Sequence, residues 1–127
     1  MQLMSRVFLG LGALALLLAT GLGAYGTHAL AGQVPAATWN AFNTAVDYHF
    51  YHGLGLIAVA ALAEARPQFT LFQLAGWLLV AGIILFCGSI YATAFGAPAA
   101  VSGAAPLGGS AFMAAWLILG LGAWRAR

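Results

Sequence analysis

Charge is the scarcest property of this sequence. Its 127 residues hold four basic and two acidic side chains, for a net charge of +2. All four bases are arginine, and lysine is absent. Charged residues make up 5% of the chain, where a soluble domain averages about 25%. Six charges cannot cover a soluble surface, so an ordinary soluble domain is excluded, and with 64% hydrophobic residues lipid is the fitting solvent. The same scarcity excludes a nucleic-acid partner, whose binding draws on clustered positive charge. Cysteine is equally sparse. A lone Cys87 excludes an internal disulfide, a CxxC metal pair and a CxxCH haem attachment.

What the chain does have is long apolar runs. Val7 to Thr27 is an uncharged stretch of 21 residues. At about 1.5 Å per residue it covers roughly 30 Å, the thickness of a hydrocarbon core. Similar spans are expected at 43–63, 71–93 and 106–124, separated by Gln33-Val34-Pro35, by Arg66-Pro67 and by the small residues from Gly96 to Pro106. With four spans, Arg6, Arg66, Arg125 and Arg127 all fall on one side, and the opposite loops carry no arginine. The positive-inside rule makes that side cytoplasmic. The expectation is an all-α membrane protein: one membrane domain over 1–127, a four-transmembrane-helix bundle with both termini cytoplasmic. A secretory signal peptide is the competing reading of the first run, with Arg6 ahead of it and Ala29-Leu30-Ala31 as a cleavage site, but the run exceeds the usual 7–15-residue apolar region of such peptides.

Helices in lipid associate by close packing of small residues. Ala15, Ala19, Gly23 and Thr27 form one expected ridge, Gly88, Ala92 and Gly96 a second, and Gly108, Ala111 and Ala115 a third. The glycine pairs are not nucleotide fingerprints, because they follow no strand. Trp39, Trp77 and Trp124 fit interfacial anchors, whereas Trp116 is expected in the core. The segment 35–44 reads either as an interfacial helix or as an extension of span two, with Pro35 in a first helical turn in both cases.

Polar residues gather at the side away from the arginines. Counted by helical rise from Glu64, Asp47 lies roughly 25 Å and His52 roughly 18 Å across the membrane, and Cys87, Ser89 and Tyr91 lie roughly 24–30 Å from Leu71. His28 closes span one at the same edge. On a helical wheel Asp47, Tyr48, Tyr51 and His52 share one arc, and His49 falls opposite, pointing to lipid headgroups or another subunit. The expected polar cluster is therefore His28, Asp47, Tyr48, His52, Ser89 and Tyr91. Its plainest role is structural, with Asp47 hydrogen-bonded near the interface and setting helix register. Alternatives are a metal site of two histidines and a carboxylate from His28, His52 and Asp47, a bis-histidine haem or quinone pocket, or a proton or solute relay. A relay would need polar groups in the inner half, which is almost purely apolar. No nucleophile with an orienting base stands out, and Cys87 reads as inert packing.

These same residues carry a resemblance. Gly23-Ala24-Tyr25-Gly26-Thr27-His28-Ala29-Leu30 resembles the end of helix one in a family that reads Gly-Ala-Phe-Gly-Ala-His-x-Leu there. Asp47-Tyr48-His49-Phe50-Tyr51-His52-Gly53-Leu54, Phe86-Cys87-Gly88-Ser89-Ile90-Tyr91 and Pro106-Leu107-Gly108-Gly109 are similar to its later motifs, in order along nearly the whole chain. The family is the small four-helix bacterial inner-membrane "domain of unknown function four-two-three" group, related to a small mitochondrial transmembrane protein of animals. Thr27 stands where the family has Ala, Cys87 stands where it has Ser, and His49 is outside its pattern. The resemblance implies fold and a multi-pass place in the bacterial inner membrane, and it implies no activity. The functional expectation is a protein without catalysis or a resident cofactor, acting as an accessory or assembly subunit among other membrane subunits or copies of itself. Alternatives are a binding protein for a metal, haem or small ligand in an outer-side pocket, and a small oligomeric transporter.

Overall fold

The computed structural model describes residues 1–126, which form four helical rods with no strand among them. The first rod is α1 (Leu3–Tyr25), continued by a π-helical turn over Gly26–Leu30. The second is α2 (Ala36–Ala65). The third runs through α3 (Thr70–Gly82), a π-helical stretch over Ile83–Gly88, and α4 (Ser89–Ala94). The fourth opens with a 3-10 turn over Ala99–Ala104 and becomes α5 (Ala105–Arg125). Three rods, Leu3–Leu30, Thr70–Ala94 and Ala99–Arg125, are long and apolar enough to cross a membrane. The second is the longest single helix at 30 residues, but Asn40, Asn43, Asp47 and His49 in its first half dilute its hydropathy. Residues 36–44 are continuous with it, which decides for the extension over the interfacial helix. Pro35 caps that helix from just outside, with extended ψ of 150°, so it stands one residue ahead of the expected first turn.

Helix α2 is the hub. It packs against α1 on one side and against the third rod on the other, while α5 lies along α3 and the second π-helical stretch. Its buried residues Phe42, Ala45, Val46, His49, His52, Gly53 and Leu56 follow the i, i+3, i+4 spacing of a single helical stripe. With Phe8, Val59, Leu79 and Phe112 this stripe forms the continuous core. Ala15 and Ala19 of the first small-residue ridge are buried against it, while Thr27 turns outward and its hydroxyl donates to the Gly23 carbonyl at 3.2 Å.

In the third rod the close approaches are not on the expected ridge. Gly88 and Gly96 have no side chain from another helix within reach of a Cβ. The tight positions are Gly76, where a Cβ would lie 2.6 Å from the Phe8 ring, and Gly82, where it would strike the Phe112 ring. The reason is that the C-terminal end of the rod meets its bulky partners through Tyr91 and Phe95, not through its glycines. The third ridge stands as expected: Ala115 is buried, and Gly108 lets α5 touch the backbone of Phe86 so closely that no Cβ fits. Trp116 is 44% exposed, so it faces outward instead of filling the core.

One end of the bundle collects the basic residues. The Gln2 backbone N–H donates to Glu64 Oε2 at 2.8 Å, the terminal ammonium lies 3.9 Å from Glu64 Oε1, and the Ser5 hydroxyl donates to the Ala60 carbonyl at 3.0 Å. Gly122 near the end of α5 packs against Leu71 and Phe72 at the start of α3. Arg6, Arg66 and Arg125 therefore share this end, and Arg127 lies outside the described residues.

Candidate functional site

At the other end the polar residues separate into two sites. The first is a buried pair between α2 and α4. His49 is 4% exposed and its Nδ1 lies 3.0 Å from the Tyr91 hydroxyl. Tyr91 packs on Phe42 in a tilted arrangement with ring centroids 5.3 Å apart, and beside it the buried Cys87 thiol donates to the Ala45 carbonyl at 3.3 Å. This corrects the outward placing of His49. His49 does lie opposite Asp47 on the helix, but the inward side is the one that carries His49, with His52 also on it. Phe42, Ala45 and Val46 are on the stripe of His49, and that apolar stripe sets which way α2 faces. Asp47 and Tyr51 are left outside, Tyr51 with 57% of its surface exposed.

The second site is an aromatic cleft of about 520 Å³ between α2, the π-helical stretch and α5. Its walls are Tyr48, Tyr51, His52, Phe86, Phe112 and Trp116. The His52 imidazole lies flat on the Phe112 ring, centroids 3.5 Å apart and planes 8° apart. Tyr48 stacks on Phe86 at 4.9 Å and tilts against His52 at 5.7 Å, as its i, i+4 spacing allows. His52 Nδ1 lies 2.6 Å from the Tyr48 carbonyl oxygen. A carbonyl can only accept, so Nδ1 carries the proton and, in the neutral ring, Nε2 is left as an acceptor.

The motifs acquire a local logic here. Phe86 and Cys87 sit on the π-helical stretch, a form often found at functional sites in helices. Gly108 admits the Phe86 backbone, and the adjacent Gly109 helps to line the cleft. Gly26 is buried beneath Phe42, whose ring would meet a Cβ there at 2.6 Å.

The expected cluster is thus only partly assembled. Tyr48 and His52 meet, and Tyr91 pairs with His49. Ser89 is buried but spends its hydroxyl on the Phe86 carbonyl at 3.0 Å. His28 and Asp47 are both exposed, and among the described residues no three of His, Cys, Asp or Glu come together to hold a metal ion. The two-histidine, one-carboxylate set of His28, Asp47 and His52 is not formed, because α2 turns Asp47 outward while it turns His52 onto Phe112. Phe86, Phe112, Gly109 and Trp116 were not expected as site residues. Phe86 and Gly109 did lie inside recurring motifs, and that was the available signal.

Together, the apolar helical rods, the glycine contacts and the outward aromatic side chains define an all-helical bundle of membrane-protein type. Residues 22–109 match the family described as "Protein of unknown function (DUF423)", and the chain belongs to that family. Among its relatives, the UPF0382 membrane protein YwdK of Bacillus subtilis is 43% identical over 114 residues, covering 90% of this chain and 93% of that protein. A UPF0382 membrane protein of Haemophilus influenzae is 32% identical over 124 residues, covering 98% of each. A third, UPF0382 membrane protein SH2409 of Staphylococcus haemolyticus, is 36% identical over 114 residues, covering 90% of this chain and 92% of that protein. No solved structure matches the fold.

Proposed function

We propose that the chain is a multi-pass protein of the bacterial inner membrane, with α2 as a fourth span and both ends in the cytoplasm. It works there without catalysis of its own, as an accessory or assembly subunit that docks laterally on a larger membrane complex. The observation behind this reading is how little of the chain lies outside the rods: the linkers 31–35, 66–69 and 95–98 are each five residues or fewer. A partner must therefore be met along the sides of the bundle. Those sides carry Met113, a residue type enriched at interfaces, at 76% exposure on α5, with Leu117 at 65% one turn further on. The orientation follows from the end that collects Arg6, Arg66 and Arg125.

The test is a photo-crosslinking amino acid at Leu117 in the full chain, expressed in a bacterial membrane, followed by purification in mild detergent. A stoichiometric crosslinked membrane subunit, or a second copy of the chain, is the expected result. A protein that runs strictly as a monomer, with no crosslinked companion, would overturn the reading.

A further inference from the structure

We propose that the aromatic cleft is a binding site for a hydroquinone-type amphiphile, a flat ring with hydroxyl donors and an apolar tail, and that it discriminates against the oxidised quinone. The inference concerns a small ligand and not a protein partner, although Met113 borders both the cleft and the proposed docking face.

Four observations lead to it. The cleft's volume of about 520 Å³ is the size of a small-molecule site, where pockets run roughly 300–1,000 Å³. Its lining is one continuous aromatic cluster: Tyr48 stacks on Phe86 and also meets His52 at 5.7 Å and Phe112 at 6.3 Å, which gives a planar ring a flat face to lie against. His52 is 6% exposed, and no protein hydrogen bond engages its Nε2, yet that nitrogen is not sealed off among the buried atoms that lack a partner. The open space that His52 lines is this cleft. Finally, the cleft lies on the outward face of the bundle, beside the exposed Met113 and Tyr51, so a ligand dissolved in lipid reaches it sideways and leaves its tail among the acyl chains.

The discrimination follows from the tautomer. The Tyr48 carbonyl holds the imidazole proton on Nδ1, so Nε2 of the neutral ring can accept a hydrogen bond and cannot donate one. A hydroquinone hydroxyl supplies the missing donor. At Nε2 a quinone carbonyl brings a second acceptor to an acceptor, whereas the Tyr48, Tyr51 and Trp116 donors that line the same cleft can serve the ring oxygens of either form, so Nε2 sets the difference between them. No electron transfer is involved; the site recognises the reduced ring.

The experiment uses the full chain in lipid nanodiscs with ¹⁵N-labelled histidine, titrated anaerobically with a decyl-substituted 1,4-hydroquinone and separately with the matching benzoquinone. The expected result is a saturable shift of one imidazole ¹⁵N signal, the one missing in His52→Phe, with affinity at least ten-fold weaker for the quinone. Gly109→Leu projects a side chain into the cleft from a position where a Cβ meets only Phe86 Cδ2 at 3.9 Å, so this variant should bind at least ten-fold more weakly while melting as wild type. Equal binding of the two redox forms, non-saturable partitioning only, or undiminished binding in a folded Gly109→Leu protein would each overturn the proposal. The wild-type comparison decides by itself if a variant fails to fold.

Discussion

His49 and Tyr91 show how a polar pair is accommodated inside an apolar bundle. Each satisfies the other at 3.0 Å, and truncating one leaves the other without its partner. Tyr91→Phe should therefore lower stability by about 0.5–2 kcal/mol, the range spanned by a hydrogen bond between helices in lipid and a buried polar atom left alone. Thermal melting in a fixed detergent measures it, and a cycle with His49→Leu should return a favourable coupling. At the opposite end, Glu64 is held below its ordinary pKa chiefly by the Gln2 backbone N–H, helped by the terminal ammonium. Its folded pKa is thus below the unfolded value of 4.5, so the tether contributes fully above pH 4.5 and is lost as pH falls towards the folded value. The protection factors of the amides in the first turn of α1, taken relative to intrinsic exchange at each pH, should fall in that acid window, and Glu64→Gln should show the lowered protection at neutral pH as well.

At the scale of elements, the glycines sort by what a methyl group would meet. Gly108 abuts the backbone of Phe86, which cannot swing aside, so Gly108→Ala should push α5 away from the π-helical stretch and cost about 1–3 kcal/mol, as overpacking does. Gly21 and Gly120 face open space within their helices. Alanine at either should be neutral or stabilising by up to about 1 kcal/mol, through helix propensity alone. Melting of the three variants side by side checks the contrast, and equal effects would show that α5 is not held by this contact. Helix α2 carries a different lesson. Its polar arc and its stripe with His49 were both legible as arcs, but the sequence pattern alone did not tell which arc faced inward. That choice depends on Phe8 and Phe42 filling the core from one side, and on α5 covering His52 from the other.

For the whole molecule, the proposed orientation makes a direct prediction about labelling. In a Cys87→Ser background, Ala97→Cys should react with a membrane-impermeant maleimide on intact cells, and Gln68→Cys should react only after permeabilisation. The reverse pattern would place the arginine end outside.

The sequence by itself determined that lipid is the solvent, roughly where the helical rods lie, and which end collects arginine. These follow from composition, run length and charge, which need no knowledge of what packs on what. The family motifs were equally visible as strings of residues. Only the tertiary structure decided that His49 is buried against Tyr91, that His28 and Asp47 stand apart from His52, and that Phe86, Gly109, Phe112 and Trp116 enclose a cleft. Those outcomes depend on the rotation of each helix against its neighbours. In a bundle where nearly every face is apolar, rotation is set by where small residues let large ones in: Gly76 admitting Phe8, Gly82 admitting Phe112 and Gly108 admitting Phe86.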